Sequence, residues 1–489
     1  MTLSSAGRAG GPGQGWVAAV DLGATSGRVV LARVGPDELH VETVHRFDNE
    51  PVRTPDGLHW NLLELYRQVL VGLRVALERA PRLLSVGIDS WAVDYGLVEG
   101  QRLAGVPFHY RDERTAAGVA RVHAQVDHAE LYARNGLQFQ PFNTVYQLAV
   151  DAAAGQLGRG RTVLLLPDLL AFWLTGQQGA ERTNASTTGL LDPRNGAWDT
   201  ELMARLGLAP SLFPPLVAPG TAIGPVLPAV AAEIGAEHPL KVVAVGSHDT
   251  ASAVVAVPMA GRNAAYISSG TWSLVGVELD QPVLTPASRA ANFTSEGGVD
   301  GRVRYLLNVM GLWLLTESIR GWQRSGHQVD LDGLLAGAAA VTEPVPVFDA
   351  NDPRLLPTGD MPARITALCA APGGAAPTEP VVLVRSILES LAAAYATAVS
   401  TAEQLSGVRI EVVHVVGGGS RNALLCQLTA DRTGRPVLAG PVEATAIGNV
   451  LIQARAAGLV SGTLEQLRSL VARTYPPVAY APRRPSVPS

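Results

Sequence analysis

The sequence predicts an α/β fold with two related lobes, and three observations support this prediction. Apolar runs of strand length alternate with longer segments of helical period, as in 62–77 followed by 83–89. The chain has 489 residues, 47% of them hydrophobic, which is enough for two domains with separate cores. Stretches 18–34 and 264–279 both read as a strand, a tight turn of Gly, Ser and Thr, and a second strand. We place the boundary between the lobes near residue 245, although two unrelated hairpins would give the same pattern.

The overall composition excludes several classes of protein. The formal net charge of -5 provides no basic field, so we expect no nucleic acid partner. Cys369 and Cys426 are too few for a disulfide framework or a zinc ligand set, which favours a reducing compartment. The first fifteen residues lack the apolar core of a signal peptide, and no uninterrupted apolar run is long enough to span a membrane. We therefore expect a cytoplasmic protein with no membrane partner, a frayed amino terminus, a loop at 371–380 and a disordered tail from 481.

Lysine is almost absent from the chain, and this excludes two kinase designs. Lys241 is the only lysine, so neither the P-loop motif nor the lysine motif of protein kinases is present. The zinc-protease motif H-E-x-x-H and the serine-hydrolase motif G-x-S-x-G are absent as well. Any phosphate site in this chain must therefore depend on backbone N–H groups, arginine or a metal ion.

The first candidate site is the turn in D-L-G-A-T-S-G-R. Gly23 and Gly27 permit a tight turn and a close approach to the backbone, and Thr25 and Ser26 add hydroxyl groups beside backbone N–H groups. This pattern predicts an anion pocket. Asp21, at the end of the first strand, would face bound phosphates and could hold Mg²⁺ through water. An ordinary hairpin would show the same residues.

The second candidate turn, S-S-G-T-W-S-L, repeats this chemistry with Ser268, Ser269 and Thr271 around a glycine. Phosphates lying between the two turns would be held from both lobes. Arg28 could add positive charge to the first turn, although an arginine in this position is also typical of a solvated surface.

A third candidate is the strand, glycine-rich turn and helix in H-V-V-G-G-G-S-R-N-A-L-L-C-Q-L. The start of a helix favours anions, and three glycines permit close packing of a flat group. The segment also comes near the dinucleotide-binding fingerprint, with Glu443 as the ribose-binding acid, but Asn422 replaces the third glycine. A nucleotide site is therefore the stronger interpretation, and an NAD-dependent oxidoreductase is the weaker one.

Two further segments place carboxylates after apolar strands. In V-G-I-D-S-W-A-V-D-Y, Trp91 with Asp89 and Asp94 offers the aromatic plane and the acceptors that bind sugars, but a core tryptophan with turn-capping aspartates fits equally well. The run V-V-A-V-G-S-H-D-T-A-S-A-V presents His248 and Asp249 among small residues. Asp249 is either a catalytic carboxylate at the end of a buried strand or a helix N-cap, and His248 is either a hydrogen-bond donor or a structural histidine.

Taken together, these motifs resemble those of the FGGY carbohydrate kinases in the actin-like ATPase superfamily. The similarity is ordered along residues 16–455 and includes V-D-L-G-A-T-S-G-R, G-I-D-S-W-A-V-D-Y, S-H-D-T-A-S-A-V, Y-I-S-S-G-T-W-S-L and V-V-G-G-G-S-R-N. The resemblance implies two actin-like (ribonuclease H-like) lobes with a catalytic cleft between them. It divides the chain into an N-terminal lobe, 16–245, for sugar and phosphate, and a C-terminal lobe, 246–480, for nucleotide, with the catalytic base at its start.

The same resemblance implies an activity. The γ-phosphoryl group of ATP would pass, with Mg²⁺, to the 1-hydroxyl of a ketose, and the motifs are most similar to those of family members that act on L-rhamnulose. Kinases for fuculose or xylulose and a catalytically silent sugar-binding regulator are the alternatives. The sequence is silent on whether the chain is a monomer or a homodimer.

The resemblance assigns roles by position. Asp249 would be the catalytic base and Asp21 the metal ligand. The sugar would be bound by Asp249 itself, by the segment around it and by the segment around Trp91. ATP would be bound by the two turns and by the later glycine-rich segment. The implied sugar contacts are Trp91, Ala92, Asp94, His248 and Thr250, and the implied ATP contacts are Ala24, Thr25, Ser26, Gly27, Arg28, Thr271, Asn308, Thr316 and Gly418. Ala92 and Thr316 depart from the glycine and glutamine that these family members have there.

Overall fold

A computed structural model describes residues 13–370 and 376–483. Most of the expected frayed amino terminus, half of the loop at 371–380 and most of the tail from 481 lie outside the described residues. In chain order, the described strands are β1 (Gly15–Leu22), β2 (Ser26–Gly35), β3 (Glu38–Asp48), β4 (Val52–Thr54), β5 (Gly57–His59), β6 (Leu83–Ser90), β7 (Tyr95–Glu99), β8 (Arg102–Leu103), β9 (Arg161–Leu165), β10 (Ala180–Glu181), β11 (Leu191–Asp192), β12 (Ala197–Trp198), β13 (Leu216–Val217), β14 (Ala222–Pro225), β15 (Lys241–Val243), β16 (Ala264–Ser269), β17 (Trp272–Leu279), β18 (Thr294–Gly297), β19 (Val303–Met310), β20 (Val412–Val416), β21 (Val437–Ala439) and β22 (Val478–Tyr480).

Helices connect these strands and cover the sheets. In chain order, the described α-helices are α1 (Leu62–Arg79), α2 (Thr115–His123), α3 (His128–Asn135), α4 (Thr144–Ala153), α5 (Leu166–Thr175), α6 (Arg182–Ala185), α7 (Thr200–Arg205), α8 (Pro228–Ile234), α9 (Asp249–Val255), α10 (Pro286–Ala290), α11 (Trp313–Arg324), α12 (Leu331–Ala340), α13 (Met361–Ala370), α14 (Pro380–Ser406), α15 (Ala423–Thr433), α16 (Ala444–Ala456) and α17 (Leu464–Thr474). The alternation of strands and helices confirms the predicted α/β class.

The described residues group into two compact units. The first draws on Met1–Ala260, Leu279–Tyr305 and Ala444–Thr474, and the second on the remaining segments. The boundary expected near residue 245 thus differs from this grouping, in which the segment up to residue 260 stays with the first unit. The end of strand β6 is paired with this segment: Ser90 forms a parallel bridge with His248, and the Ser90 N–H donates to the Ser247 carbonyl over 2.9 Å. The domain limits 16–245 and 246–480 remain predictions.

The first unit contains a six-stranded sheet in the order β14-β15-β6-β1-β2-β3. β1 pairs antiparallel with β2 and parallel with β6; β6 pairs parallel with β15, and β15 antiparallel with β14. Helix α1 packs on β2 and β3, and α16 on β1 and β6. The predicted helix at 62–77 forms because Leu62, Leu65, Val69, Leu73 and Ala76 recur at helical spacing and are buried.

The second unit repeats this topology. Within a seven-stranded sheet, the strands of this unit have the order β19-β17-β16-β20-β21-β22, and strand β19 belongs to the unit from Leu306 onward. β16 pairs antiparallel with β17 and parallel with β20; β20 pairs parallel with β21, and β21 antiparallel with β22. The five strands β14-β15-β6-β1-β2 and the five strands β22-β21-β20-β16-β17 therefore share order and pairing sense, as the two similar hairpins in the sequence predicted.

One described helix, α14, is long and apolar enough by length and composition to cross a membrane. In its most apolar window, 56% is buried inside the fold. Val384, Leu391 and Tyr395 have no exposed surface, and the helix packs against α12 and α15. These contacts are those of a core helix of the second unit.

Candidate active site

The first unit brings two aspartates together at the ends of neighbouring parallel strands. In the pairing of β1 with β6, Asp21 lies opposite Asp89. Asp89 has no exposed surface, and Asp21 is 7% exposed. Because the carboxyl ends of parallel strands meet at one edge of a sheet, the topology itself creates a concentration of negative charge here.

Arg28 partly balances this charge. Arg28 lies opposite Asp21 in the β1–β2 pairing, and its Nε and Nη2 atoms donate to Asp21 Oδ2 over 2.9 and 2.6 Å. The arginine is therefore an ion-pair partner inside the site, and the interpretation of it as a solvated surface residue is wrong.

Asp89 is the more strongly perturbed of the two aspartates. Burial raises the pKa of Asp89 well above its usual range and the charge of Asp21 raises it further, whereas a hydrogen bond from Asn449 opposes the rise. The Asn449 Nδ2 atom donates to Asp89 Oδ2 over 2.5 Å. Among the residues that the structure describes, Asp89 Oδ1 has no hydrogen-bond partner. One buried oxygen at this strand end is thus available to a ligand.

The turn between β1 and β2 is fixed by its own backbone and by Asn49. The Gly23 N–H donates to the Ser26 carbonyl over 2.9 Å, and Asn49 donates from Nδ2 to the Gly23 carbonyl and from its backbone N–H to the Thr25 carbonyl. A Cβ atom at Gly27 would lie 2.4 Å from the Phe47 ring, so this position requires glycine. Thr25, at the tip, is exposed. The predicted anion pocket is therefore a rigid turn with an open tip.

Asp249 begins a helix rather than ending a strand. Strand β15 stops at Val243, and Asp249 is the first residue of α9, after His248 at the N-cap position. The expected strand end is wrong because residues 244–248 separate the strand from the helix, and His248 there forms a single β-bridge with Ser90. Asp249 Oδ1 accepts from the Thr250 N–H over 2.5 Å and from the Thr250 hydroxyl over 3.1 Å.

The carboxylate of Asp249 remains reachable. A third of its side chain is exposed (33%). Desolvation raises the pKa of Asp249 and the charge of Asp21 raises it further, whereas the hydrogen bonds from Thr250 oppose the rise. A carboxylate with a raised pKa is a better proton acceptor than a free one.

His248 is held between carboxylates and an arginine. Its Nε2 atom lies 3.4 Å from Asp249 Oδ1, and its Nδ1 atom lies 3.0 Å from Arg304 Nη2. Glu296 Oε2 lies 3.0 Å from the same Nη2 atom. Burial raises the pKa of Glu296 and the charge of Arg304 opposes the rise, and the net shift is downward.

The backbone before Asp249 is anchored by a buried glutamate. Glu181, 2% exposed, accepts through Oε2 from the Ser247 N–H over 2.9 Å and the Ser247 hydroxyl over 2.8 Å. Its Oε1 atom accepts from the Thr183 N–H, and the Thr183 hydroxyl in turn accepts from the His248 N–H over 3.3 Å. The segment that presents Asp249 is thus tied to residues far away in sequence.

The carboxylate of Asp94 is fully engaged within the protein. It accepts from Trp60 Nε1 over 2.7 Å, Trp91 Nε1 over 3.1 Å, Gln147 Nε2 over 2.9 Å and the Tyr110 N–H over 3.2 Å. Burial raises the pKa of Asp94 to about 6, although these donors favour the ionised form. Asp94 thereby orients two indole rings, and the expected direct sugar contact stays a prediction.

The rings of Trp60 and Trp91 lie 4.0 Å apart, and Trp91 is only 6% exposed. Next to them, Ala92 is half-buried, and Val93 has a φ of 71°, a conformation that β-branched residues rarely adopt. The Val93 carbonyl accepts from the Thr144 hydroxyl over 2.7 Å, which holds this strained turn in place.

In the second unit, the turn between β16 and β17 is braced by the start of α11. The Leu312 N–H donates to the Gly270 carbonyl over 2.9 Å, and the Trp313 N–H donates to the Thr271 carbonyl over 3.1 Å. Thr316, one turn further along α11, is exposed, and Asn308 on β19 is half-buried. Thr271 and Thr316 are therefore brought to one region by α11.

The glycine-rich segment after β20 packs against the same turn. A Cβ atom at Gly419 would lie 2.0 Å from Ser269 Oγ, whereas one at Gly418 would meet nothing within 4 Å. Asn422 caps α15, because its Oδ1 atom accepts from the Leu425 N–H over 3.0 Å. The residue that breaks the dinucleotide fingerprint thus has a capping role, and Gly418 faces open space.

Comparisons with known proteins identify the family of the chain. Residues 16–256 match the N-terminal domain model, and 265–457 the C-terminal domain model, of the FGGY family of carbohydrate kinases.

The chain belongs to the FGGY family of carbohydrate kinases.

Curated relatives share this assignment. The chain is 42% identical to a rhamnulokinase from Pectobacterium carotovorum, over 96% of this chain and 94% of the relative. It is 38% identical to a rhamnulokinase from Bacteroides thetaiotaomicron, with 95% of each chain covered. This family transfers the phosphoryl group of ATP to a sugar hydroxyl, so the chain is an ATP-dependent phosphotransferase with an alcohol acceptor.

Solved structures of this family have the same fold. Xylulose kinase from Lactobacillus acidophilus superposes with a TM-score of 0.78 at 15% identity, covering 96% of this chain and 94% of the other. Plasmodium falciparum glycerol kinase with ADP superposes with a TM-score of 0.74 at 14% identity, with the same coverage. The fold of the chain is thus the two-domain actin-like fold of FGGY sugar kinases.

Sequence reasoning missed Glu181, Glu296 and Arg304. One signal was present: Arg304 is the only charged residue in the apolar run V-R-Y-L-L-N-V-M, and a lone arginine in a buried strand needs a partner. Nothing in the sequence connects it with His248, because 56 residues separate the two.

Proposed function

We propose that this chain transfers the γ-phosphoryl group of ATP to the 1-hydroxyl of L-rhamnulose, giving L-rhamnulose 1-phosphate and ADP. The curated relatives named rhamnulokinase support the choice of sugar. The observation that carries the proposal is Asp249, a one-third exposed carboxylate with a raised pKa, held beside His248 in the unit that also contains Asp21 and Asp89.

In this proposal Asp249 accepts the proton of the attacking hydroxyl. Phosphoryl transfer has a loose transition state, so alignment and charge stabilisation supply most of the rate and one well-placed base completes the machinery. His248 donates a hydrogen bond to a sugar oxygen, and Thr250 and Ala92 complete the sugar contacts. Trp91, oriented by Asp94, forms a wall of the sugar site.

Magnesium fits the residues of the first unit. Among the described residues, no group of three or more His, Cys, Asp or Glu could hold a metal alone. Mg²⁺ bound with nucleotide phosphates needs only one or two carboxylates, and Asp21 together with the unpartnered Oδ1 of Asp89 supplies them. When bound, Mg²⁺ neutralises charge on the phosphates. Asp21 holds it in this proposal, and Arg28 keeps the Asp21 carboxylate oriented.

The nucleotide contacts come from two rigid turns. The segment Ala24 to Arg28 offers backbone N–H groups and hydroxyls to phosphates. Thr271, Asn308, Thr316 and Gly418 lie in the second unit, and we propose that they bind the rest of ATP. A cytoplasmic location agrees with two buried free cysteines. Monomer or homodimer remains a prediction, as does the absence of a nucleic acid partner.

A coupled assay of ADP release with L-rhamnulose tests this proposal. We expect turnover by the native chain and a loss of about 10³-fold in kcat for Asp249→Asn, because the acceptor of the proton is removed while shape is kept. Asp37→Asn is the matched control, since the Asp37 side chain is 97% exposed. Turnover that persists in Asp249→Asn would contradict the assignment of the base.

A substrate panel tests the choice of sugar. We expect kcat/KM to be highest for L-rhamnulose and lower for fuculose and xylulose. Ala92→Gly should accept a wider range of ketoses, because a methyl group is removed from the sugar site. A higher kcat/KM for another ketose would contradict L-rhamnulose as the preferred substrate and leave the assignment as a sugar kinase unchanged.

A further inference from the structure

Arg304 is an arginine without any exposed surface in the first unit. Its Nε atom donates to the Gly297 carbonyl over 2.9 Å, and its Nη2 atom lies 3.0 Å from both His248 Nδ1 and Glu296 Oε2. Burying a guanidinium group is costly unless it is paired. Here the charge is balanced by Glu296, and one N–H group is left for the histidine ring.

This contact determines where His248 carries its proton. A guanidinium group has five N–H donors and no acceptor, and it stays protonated in proteins. A ring nitrogen that faces such a donor must therefore present its lone pair. Nδ1 also lies 3.4 Å from Glu296 Oε2, but this distance is longer than the contact with Arg304, and the arginine already balances the glutamate. Nδ1 is thus the acceptor, which leaves the proton on Nε2.

We infer that Arg304 is a positioning residue that fixes His248 as the Nε2–H tautomer, so that a hydrogen-bond donor stands beside Asp249. Nε2 lies 3.4 Å from Asp249 Oδ1. The kinetic consequence rests on the proposed function: this N–H group binds an oxygen of the sugar whose hydroxyl Asp249 deprotonates. Glu296 acts through Arg304, as the counter-ion that makes its burial possible.

The tautomer is tested in the ligand-free protein, without any assay of activity. In ¹⁵N–¹H NMR of protein labelled at histidine, with His248→Gln to assign the signals, we expect Nε2 to carry the proton and Nδ1 to be bare. Arg304→Lys keeps a donor and should keep this tautomer. Arg304→Met removes the donor, and the proton should then also occupy Nδ1, facing Glu296. A native protein with the proton on Nδ1 would overturn the inference even if Arg304→Met fails to fold.

Steady-state kinetics test the consequence for substrate. For Arg304→Met we expect KM for L-rhamnulose to rise about tenfold, the effect of one lost hydrogen bond, and KM for ATP to stay unchanged. Arg304→Lys should recover part of the loss. A loss of packing alone would lower the amount of folded enzyme without changing one KM selectively. Equal sugar KM values in native and Arg304→Met enzymes would overturn the inference.

Arg302→Met is the matched control. Arg302 stands two residues before Arg304 and pairs with Glu465 over 2.8 Å. The substitution therefore removes an arginine from the same segment without changing a contact of His248. For this variant we expect the same His248 tautomer and the same KM for L-rhamnulose as in the native protein. The two hypotheses fail separately: an Nε2–H tautomer without turnover of L-rhamnulose would refute the proposed function alone, and turnover with an Nδ1–H tautomer would refute only the role of Arg304.

Discussion

At the scale of single residues, the strained backbone of Val93 yields a direct prediction. Val93 has a φ of 71° and is buried in the core of the first unit. Replacing it with either alanine or glycine removes both methyl groups of the side chain. Alanine keeps the Cβ atom, but only glycine adopts this conformation without strain. We expect Val93→Gly to be more stable than Val93→Ala by about 1 kcal/mol, as measured by urea unfolding followed through tryptophan fluorescence.

The control for Val93 is a valine in an ordinary strand. Val98 lies in β7 and has no exposed surface. There the usual order should hold, with the alanine variant more stable than the glycine variant. If alanine is also the better replacement at position 93, the turn beside Ala92 is not strained.

At the scale of elements, the glycine-rich segment after β20 separates a packing role from a binding role. A Cβ atom at Gly419 would meet Ser269 at 2.0 Å, so we expect Gly419→Ala to lower stability by about 1 to 3 kcal/mol. A Cβ atom at Gly418 meets no protein atom within 4 Å. Gly418→Ala should therefore leave the melting temperature unchanged and raise KM for ATP about tenfold by displacing the nucleotide.

The two alanine variants are each other's controls, since they differ by one position in the same turn. Gly419→Ala should lower the melting temperature, whereas Gly418→Ala should leave the melting temperature unchanged and raise KM for ATP. An unchanged KM for ATP in Gly418→Ala would show that the nucleotide does not lie over this glycine, whatever the result for Gly419→Ala.

The elements also show how far local sequence determines the site. Turns such as Gly23–Ser26 and helices such as α1 follow from neighbouring residues, and both were predicted. Asp249 was placed on the wrong element because five residues without regular secondary structure separate β15 from α9, and apolar small residues fit either geometry. The neighbours of His248 were not predictable, since Glu181, Glu296 and Arg304 reach it only through tertiary contacts.

At the scale of the whole molecule, the repeated topology explains why two similar hairpins occur in one chain. Strand β1 in the first unit and strand β16 in the second unit are each followed by a tight turn and an antiparallel strand. The turns lie at 23–26 and 269–272. The sequence predicted this repetition. It could not predict that residues 279–305 and 444–474 return to the first unit, because that assignment depends on long-range packing of α16 and α17.

Chemistry requires the two units to act together, and this leads to a prediction about overall dimensions. The proposed base lies in the first unit and four proposed nucleotide contacts lie in the second, yet in-line transfer needs acceptor and donor aligned and shielded from water. We expect Asp249→Asn, chosen because its turnover should be slow, to show a smaller radius of gyration in small-angle scattering with ATP, Mg²⁺ and L-rhamnulose than without ligands. L-Rhamnulose alone is the control, since all of its proposed contacts lie in the first unit. An unchanged radius with all three ligands would mean that alignment is achieved without closure.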